Sequence, residues 1–275
     1  MGIFLKKCDV GLSMKIAVIQ LNATANKKEN IQNALFFVKK AALAKAEFIL
    51  LPELFIYRGK LDNETRKKVA ESIPGETTAL FCDLAKRYSI HILMGSIYEK
   101  SKNSKKLYNT AVLISNKGRL VAKYQKMNLF EAIIRNKKVK ESEQFLRGKK
   151  PVIAKVGKFK VGLSICFDLR FCELFKEYYN RGVHVLCIPS AFTKVTGKAH
   201  WETLLKARAI ENLSYVLAPN QFGQDGRGIE YYGHSMIIDP WGKIIRKASA
   251  TKEEIIYATL DMEEIKHKRK ILSIR

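Results

Sequence analysis

Short hydrophobic runs separated by polar turns recur along most of the chain. Each run has the length and the β-branched content of a buried β-strand. The runs are KIAVIQL, EFILLPE, HILMGSIYE, YNTAVLIS, RLVAKY, FKVGLSIC, VHVLCIPS, SYVLAPN, HSMIIDP, KIIRKAS and EIIYATLD. The pairs of runs joined by SNKGR and by VGKF are close enough along the chain to predict hairpins.

Three longer stretches place apolar residues at helical spacing. KENIQNALFFVKKAALAKA brings Ile31, Leu35, Val38 and Ala42 to one face behind a candidate N-cap at Asn26. ETTALFCDLAKRY and AHWETLLKARAIEN show a similar spacing. Because strands alternate both with helices and with hairpins, the pattern predicts an α/β protein whose mixed sheets are covered on the outside by helices.

The pattern continues without a linker, a repeat or a low-complexity segment. It predicts one domain over residues 14–262, an N-terminal extension over 1–13 and a basic C-terminal tail over 263–275. The extension lacks the features of a secretory signal, no run approaches the ~20 apolar residues of a membrane span, and Met14 is an alternative start. Five scattered cysteines without a CxxC pair favour a reducing cytoplasm over a disulfide framework or a zinc site.

The net charge of +24 comes from 50 basic and 26 acidic residues. Such a charge raises the hypothesis of a nucleic-acid partner. The lysines are nevertheless spread over every segment, and no aromatic-interleaved RNA-binding motif or zinc finger accompanies them. We therefore interpret the charge as a basic surface and keep a nucleic-acid-binding or scaffold protein as the alternative from a different functional class.

Polar residues follow several of the predicted strands. Glu53 follows ILLP, Lys126 ends VAKYQK, Cys166 lies in GLSICFDLRF, and a Ser-Ala-Phe-Thr segment follows VLCIP. Ligands are usually bound at the carboxyl ends of strands in α/β sheets. Each residue taken alone also has a structural interpretation, since a cysteine in an apolar run is more often a small buried side chain than a nucleophile.

Taken together, these segments resemble the nitrilase superfamily of carbon–nitrogen hydrolases, whose signatures surround a catalytic Glu, Lys and Cys in that order. Glu53, Lys126 and Cys166 match these positions, and Glu141 in KESEQFLRG matches a further acidic residue. The resemblance extends from about residue 15 to about residue 261. It implies a four-layer α-β-β-α sandwich of two mixed sheets, a homodimer, and no metal or organic cofactor.

The resemblance also implies a reaction and a role for each residue. Amide hydrolysis needs a nucleophile, a proton carrier and donors for the oxyanion. Glu53 is expected to be the general base and then acid, Cys166 the nucleophile that forms a thioester, and Glu141 the group that orients the lysine or substrate. Lys126 and the backbone N–H of Phe167 are expected to hold the oxyanion. A nearby lysine is also expected to favour the cysteine thiolate, and ammonia is the expected leaving group.

The C-terminal half resembles the Nit branch of the superfamily, which hydrolyses small ω-amides of α-keto acids. SAFTKVTGKAHWETLLKARAIEN and YGHSMIIDPWG are closer to members that act on deaminated glutathione than to ω-amidases that act on α-ketoglutaramate. An ω-amidase or an N-carbamoyl amidase is the alternative within the same chemistry. The resemblance indicates five substrate contacts: Tyr57, Arg170, Phe192, Thr193 and Thr196.

Arg170 has both a functional and a structural interpretation. A guanidinium binds a carboxylate through two parallel hydrogen bonds, and substrates of this class carry carboxylates. Alternatively, Arg170 forms an ion pair with Asp168 or Glu173. A cysteine–histidine hydrolase is the rival mechanism, for which His184, His200 and His234 are the candidate histidines.

Three positions depart from the usual family motifs. Asn128 stands where a histidine is common, Gln125 replaces the arginine before the lysine, and Cys172 replaces a proline. The departures leave the glutamate, lysine and cysteine intact. The segment around Asn128 is expected to shape one wall of the site, so its change bears on the choice of substrate.

Overall fold

The computed structural model describes residues 12–134 and 137–272. Within them, the strands form two large mixed sheets and two short pairs. The first sheet contains β1 (Ser13–Gln20), β2 (Phe48–Leu50), β3 (His91–Leu93), β4 (Ile97–Lys100), β5 (Leu107–Ile114), β6 (Leu120–Gln125) and β17 (Glu254–Asp261). The second contains β9 (Val152–Val156), β10 (Phe159–Leu163), β11 (Val185–Cys187), β12 (Tyr215–Ala218), β15 (Met236–Ile238) and β16 (Ile244–Lys247). The short pairs are β7 (Glu131–Ile134) with β8 (Lys137–Lys140), and β13 (Phe222–Gln224) with β14 (Glu230–Tyr232).

Helices and two 3-10 turns connect these strands. The helices are α1 (Lys27–Leu43), α2 (Asn63–Val69), α3 (Glu76–Tyr88), α4 (Cys172–Asn180), α5 (Lys194–Asn212) and α6 (Met262–Ile271). The 3-10 turns cover Glu141–Glu143 and Cys166–Arg170. Within the described ranges, no helix has both the length and the apolar character needed to cross a bilayer.

Parallel pairing sets where the loops emerge. In the first sheet β1, β2 and β3 are parallel, and in the second β10, β11 and β12 are parallel. The segments after β2, β10 and β11 carry Glu53, Cys166 and the Ser-Ala-Phe-Thr sequence respectively. The polar residues predicted to follow strands therefore do so.

Alternation along β1 shows how the layers stack. Ile16 and Val18 belong to a core cluster that the two large sheets share, whereas Ala17 and Ile19 pack with α1 and α3 on the other face. Successive side chains of a strand point to opposite faces, so this sheet is buried on both sides. Helices α4 and α5 contribute apolar residues on the second sheet. The predicted α-β-β-α sandwich is confirmed.

The helix predictions differ from the structure in detail. Asn26 caps α1 by accepting a hydrogen bond from the Glu29 amide, as expected, but Ala34 and Val38 are more deeply buried than Ile31 and Leu35. Helix α5 starts ahead of the predicted stretch AHWETLLKARAIEN.

The first turn of α5 contains Gly197, which lies in a close contact. A Cβ at this position would lie 2.3 Å from the Cβ of Tyr232, so glycine lets the first turn of the helix approach β14. Glycine has an unfavourable helix propensity, and the sequence pattern therefore does not indicate a helix there.

The predicted C-terminal tail begins with α6. Ile265 of this helix is buried in the core shared by the sheets, and Arg269 donates a hydrogen bond to Ser214 Oγ at 3.2 Å. Residues 263–271 therefore pack on the domain as a helix. The predicted N-terminal extension lies outside the described residues, apart from Leu12 and Ser13.

Candidate active site

Glu53, Lys126, Glu141 and Cys166 meet at one cavity of about 290 Å³. Lys126 Nζ lies 2.9 Å from Glu53 Oε1 and 2.9 Å from Glu141 Oε2. The Glu53 and Lys126 side chains are almost completely buried, and Glu141 is partly exposed. The structure thus brings together the four residues that the sequence motifs single out.

The backbone at the cysteine has an unusual conformation. Cys166 begins its 3-10 turn with a backbone φ of +48°, a conformation that residues other than glycine rarely adopt. Its amide donates to the Pro189 carbonyl at 3.0 Å, and the Ala191 amide faces the sulfur. Such strain is often found at functional sites, where the surrounding structure enforces it.

The same turn leaves one amide donor available. The amides of Cys166 and Asp168 donate to the Pro189 and Ile165 carbonyls. The Phe167 N–H has no hydrogen-bond acceptor among the described residues. A donor directly after the nucleophile is where an oxyanion-binding amide is expected.

Asp168 connects the cysteine turn to the end of the lysine strand. Its Oδ2 accepts from the Tyr124 hydroxyl at 2.7 Å and the Ile165 amide at 2.9 Å. Its Oδ1 accepts from the Asn128 amide at 2.9 Å and the Asn128 side chain at 3.0 Å. Asn128, which replaces the histidine common in the family, therefore faces Asp168. Among the described residues that line the cavity, Asn128 is absent.

Replacing Asp168 with asparagine is expected to destabilise the protein. An amide presents one oxygen and an NH2 group, so at least one buried donor would lose its acceptor. We expect a loss of about 2 kcal/mol, which lowers the melting temperature by several degrees, together with a lower kcat. Thermal unfolding followed by circular dichroism measures the first effect. Asp83→Asn on the exposed side of α3 is the matched control, and equal melting temperatures for the two variants would contradict this role.

Electrostatics keeps the glutamate ionised. Burial alone raises the pKa of Glu53, but the Lys126 ammonium and the Arg58 guanidinium outweigh it, so the pKa lies below its ordinary value. Asn109 Nδ2 also donates to Glu53 Oε1 at 2.8 Å. Burial lowers the pKa of Lys126, but Glu141 and Glu53 outweigh that effect and raise it. The resting site therefore holds a carboxylate beside an ammonium.

The cysteine is a neutral thiol in the same site. Burial and the negative charge of Glu53 raise the pKa of Cys166 well above its ordinary value. Lys126 lowers this pKa, as the sequence predicts, but its effect is the smaller one. Lys126 therefore acts in the expected direction, but it does not overcome burial and the charge of Glu53. The neighbouring Cys166 thiol makes a smaller contribution to the low pKa of the carboxyl group.

Four of the five predicted substrate contacts line the cavity: Arg170, Phe192, Thr193 and Thr196. The Arg170 guanidinium lies over the Phe167 and Phe192 rings, at 5.6 and 5.5 Å from their centroids. Neither Asp168 nor Glu173 forms an ion pair with it. No described carboxylate lies within 4.0 Å of its nitrogens. The ion-pair interpretation of Arg170 is therefore wrong.

Tyr57 is the predicted contact that the structure does not place on the cavity wall. Its ring is buried in the core beside α1 and α3, and its hydroxyl donates to the Lys60 carbonyl at 3.0 Å. The next residue, Arg58, lines the cavity instead. The side chain at 57 turns inward because its ring packs against Tyr98.

Several cavity residues have no signal in the sequence. Arg58 lies in the loop after β2 and Tyr98 lies in β4. Arg227 and Tyr231 belong to the β13–β14 hairpin. The Asp225 carboxylate connects parts of this hairpin, because it accepts hydrogen bonds from the Arg227 amide and the Tyr231 hydroxyl. An arginine in a turn such as DGRG resembles an ordinary surface charge, so only the tertiary fold identifies these residues.

The histidines of the rival mechanism lie away from the cavity wall. His184 accepts a hydrogen bond from the Lys160 amide, and burial lowers its pKa to about 4. His234 stacks on Tyr232. His200 is exposed, and its Nδ1 lies 3.2 Å from Arg170 Nη2. Among the described residues, none of the three lines the cavity, so the structure does not support a cysteine–histidine pair.

The family described as carbon-nitrogen hydrolase matches residues 15–270. The chain belongs to this family. It is 37% identical to the omega-amidase NIT2 of Homo sapiens over 256 residues, which covers 92% of this chain and 90% of the relative. It is equally 37% identical to the deaminated glutathione amidase of Dictyostelium discoideum over 258 residues, covering 91% and 89%.

A solved structure is also similar to this chain. Nit3 of Saccharomyces cerevisiae superimposes with a TM-score of 0.85 at 31% identity, covering 96% of this chain and 95% of Nit3. The chain is therefore a member of the Nit branch of the nitrilase superfamily. The sequence-based assignment to the branch is confirmed.

Proposed function

We propose that this chain is a thiol-dependent amidase that hydrolyses small ω-amides, with deaminated glutathione as the preferred substrate. The observation that carries the proposal is the position of Glu53, which accepts a hydrogen bond from the Lys126 ammonium at 2.9 Å and lines the same cavity as the Cys166 thiol. An ionised base beside a protonated nucleophile is the starting state for attack on an amide.

The proposed reaction has two stages, and Glu53 carries the proton in both. Glu53 takes the thiol proton as Cys166 attacks the amide carbonyl, and Lys126 and the Phe167 N–H bind the oxyanion. Glu53 then protonates the nitrogen, the C–N bond breaks, and an acyl thioester remains. A water molecule deprotonated by Glu53 attacks the thioester, and the proton returns to the sulfur as the acid leaves. These steps need no metal or organic cofactor.

The leaving group depends on the amide. A primary amide such as α-ketoglutaramate releases ammonia, as the family resemblance implies. Deaminated glutathione is a substituted amide, so breaking its C–N bond releases the amine of cysteinylglycine. The acyl product is 2-oxoglutarate in both cases. Ammonia alone is therefore an insufficient measure of activity, whereas 2-oxoglutarate reports on both substrates.

The environment of Arg170 supports a keto-acid substrate. Its guanidinium lies on the cavity wall without a carboxylate partner among the described residues. A substrate carboxylate would supply the missing partner through a bidentate interaction. Thr193 and Thr196, whose hydroxyls lie 3.0 Å apart at the start of α5, offer further hydrogen bonds. A cytoplasmic homodimer remains a prediction from the sequence.

Measured turnover of three substrates tests the proposal. We expect kcat/KM for deaminated glutathione to exceed that for α-ketoglutaramate by at least about tenfold, the value of one additional charged hydrogen bond, with an N-carbamoyl amino acid slowest. Release of 2-oxoglutarate measures the first two, and ammonia release measures the third. Faster turnover of α-ketoglutaramate would indicate an ω-amidase. Inactivity toward all three, with salt-sensitive nucleic-acid binding, would favour the binding-protein alternative.

A further inference from the structure

A second cluster of guanidinium groups lines the cavity apart from Arg170. Arg58 follows the Glu53 loop, and Arg227 belongs to the β13–β14 hairpin. Both face Asp225: Arg227 Nη2 lies 2.7 Å and Arg58 Nε 3.9 Å from its Oδ2. The Tyr231 hydroxyl accepts hydrogen bonds from both arginines.

The hydrogen bonds that the Asp225 carboxylate accepts come from groups other than Arg58. Its Oδ1 accepts from the amides of Arg227 and Ile229 at 2.8 and 3.1 Å. Its Oδ2 accepts from Arg227 Nε at 3.0 Å, from Arg227 Nη2 and from the Tyr231 hydroxyl at 2.7 Å. Arg58 Nε is buried without a hydrogen-bond partner.

The cluster therefore carries an unbalanced positive charge at the cavity wall. It holds two guanidinium groups against one carboxylate, and only 11% of the Arg58 side chain is exposed. A buried charge that is only partly paired is costly, and an anion bound in the cavity would complete the pairing of Arg58. The cluster is therefore suited to bind a carboxylate.

The position of the cluster indicates which part of the substrate it meets. Glu53 protonates the leaving nitrogen in the proposed reaction, so the leaving group lies on the Glu53 side of Cys166. Arg58 comes from the same loop as Glu53, and its charge is close enough to lower the pKa of that carboxyl group. Arg170 contacts Phe167 and Phe192 instead, which places it with the acyl part.

We propose that Arg58 and Arg227 bind a carboxylate carried by the leaving amine of the substrate. The inference rests on the proposed function and deepens it. The preferred substrates are then ω-amides whose nitrogen bears an amino acid or a short peptide with a free carboxyl end. A primary amide, whose leaving group is ammonia, leaves this cluster unused.

A pair of substrates that differ in one group tests this inference. Deaminated glutathione has a terminal glycine carboxylate, and its glycinamide form replaces that carboxylate with a neutral amide. In the wild type we expect KM to be about 10-fold to 100-fold lower for the free acid. Arg227→Gln and Arg58→Gln should raise KM for the free acid by a similar factor. In Arg227→Gln, KM for the glycinamide form and for α-ketoglutaramate should change less than about twofold.

Two controls separate carboxylate binding by the cluster from a general effect of removing a positive charge. Arg181→Gln removes an exposed arginine that pairs with Glu177 on α4, and it should leave both KM values unchanged. If Arg58 only balances the charge of Glu53, its loss lowers kcat equally for all substrates, and that result would overturn the proposal. Arg227, whose side chain is 36% exposed, provides the same test if Arg58→Gln does not fold.

A binding measurement distinguishes failure of this inference from failure of the proposed function. Isothermal titration of cysteinylglycine into Cys166→Ala needs no turnover. We expect binding at least about tenfold tighter than that of cysteinylglycinamide, and loss of the difference in Cys166→Ala/Arg227→Gln. Equal binding of the two dipeptides would refute the carboxylate site, even with an active wild type. A wild type inactive on every amide would refute the proposed function alone.

Discussion

Replacing Cys166 with alanine is expected to lower kcat by about 10⁵-fold, because no other cysteine lines the cavity in the described part of the chain. The remaining charges stay paired, since Lys126 keeps both Glu53 and Glu141 as partners. The thiol is small and borders the cavity, so the melting temperature should change by only a few degrees. Steady-state release of 2-oxoglutarate measures the loss.

A matched control for this variant is Cys82→Ala on α3. Cys82 is partly buried in the outer core and is absent from the cavity wall. It should retain wild-type kcat. Mass spectrometry after acid quenching should detect an acyl adduct on the peptide that contains Cys166. Activity of Cys166→Ala within tenfold of the wild type would show that the nucleophile is another group.

Glu53→Gln is expected to lower kcat by at least about 10³-fold. Glutamine keeps the size of the side chain and a hydrogen-bond acceptor for Asn109 and Lys126, but it cannot take the thiol proton. His200→Ala is the comparison for the rival mechanism and should retain measurable activity. Loss of activity in His200→Ala with an active Glu53→Gln would reverse the assignment of the base.

The pH dependence of kcat/KM gives an independent test of the same pair. The active form has Glu53 ionised and Cys166 protonated. The lowered pKa of Glu53 places the acid limb below the ordinary value of about 4.3, and the raised pKa of Cys166 places the alkaline limb above about 8.5. Activity is lost as the pH falls through the first pKa or rises through the second. An acid limb near pH 6.5 would instead indicate a histidine base.

Local patterns were sufficient to predict most strands and the polar residues that follow them. Apolar runs such as KIAVIQL specify strands buried on both faces, and Glu53 and Cys166 each follow such a run. The neighbouring sheets then bring the two loops together. The family resemblance, in which the order of the motifs matters, supplied the reaction and the pairing of sheets, which hydrophobic periodicity alone does not determine.

The parts that sequence could not predict depend on side-chain direction and on distant contacts. Tyr57 and Arg58 are adjacent, and no local pattern shows which one turns toward the core. Asp225 and Arg58 are far apart along the chain, and their proximity follows from a hairpin placed beside the Glu53 loop, where the Gly226 amide donates to the Arg58 carbonyl at 3.0 Å. Uniformly distributed lysines also conceal the few basic residues that line the cavity.

The stacking of the two sheets has a consequence for how the chain tolerates change. Glu53 is anchored to one sheet and Cys166 to the other, so the distance between them depends on the packing between the layers. Gly162 illustrates the point, because an added Cβ would lie 2.8 Å from the Tyr178 ring and displace β10 or α4. A methyl group added in the interior can therefore change the distance between the Cys166 sulfur and the Glu53 carboxylate, although neither of these two residues is substituted.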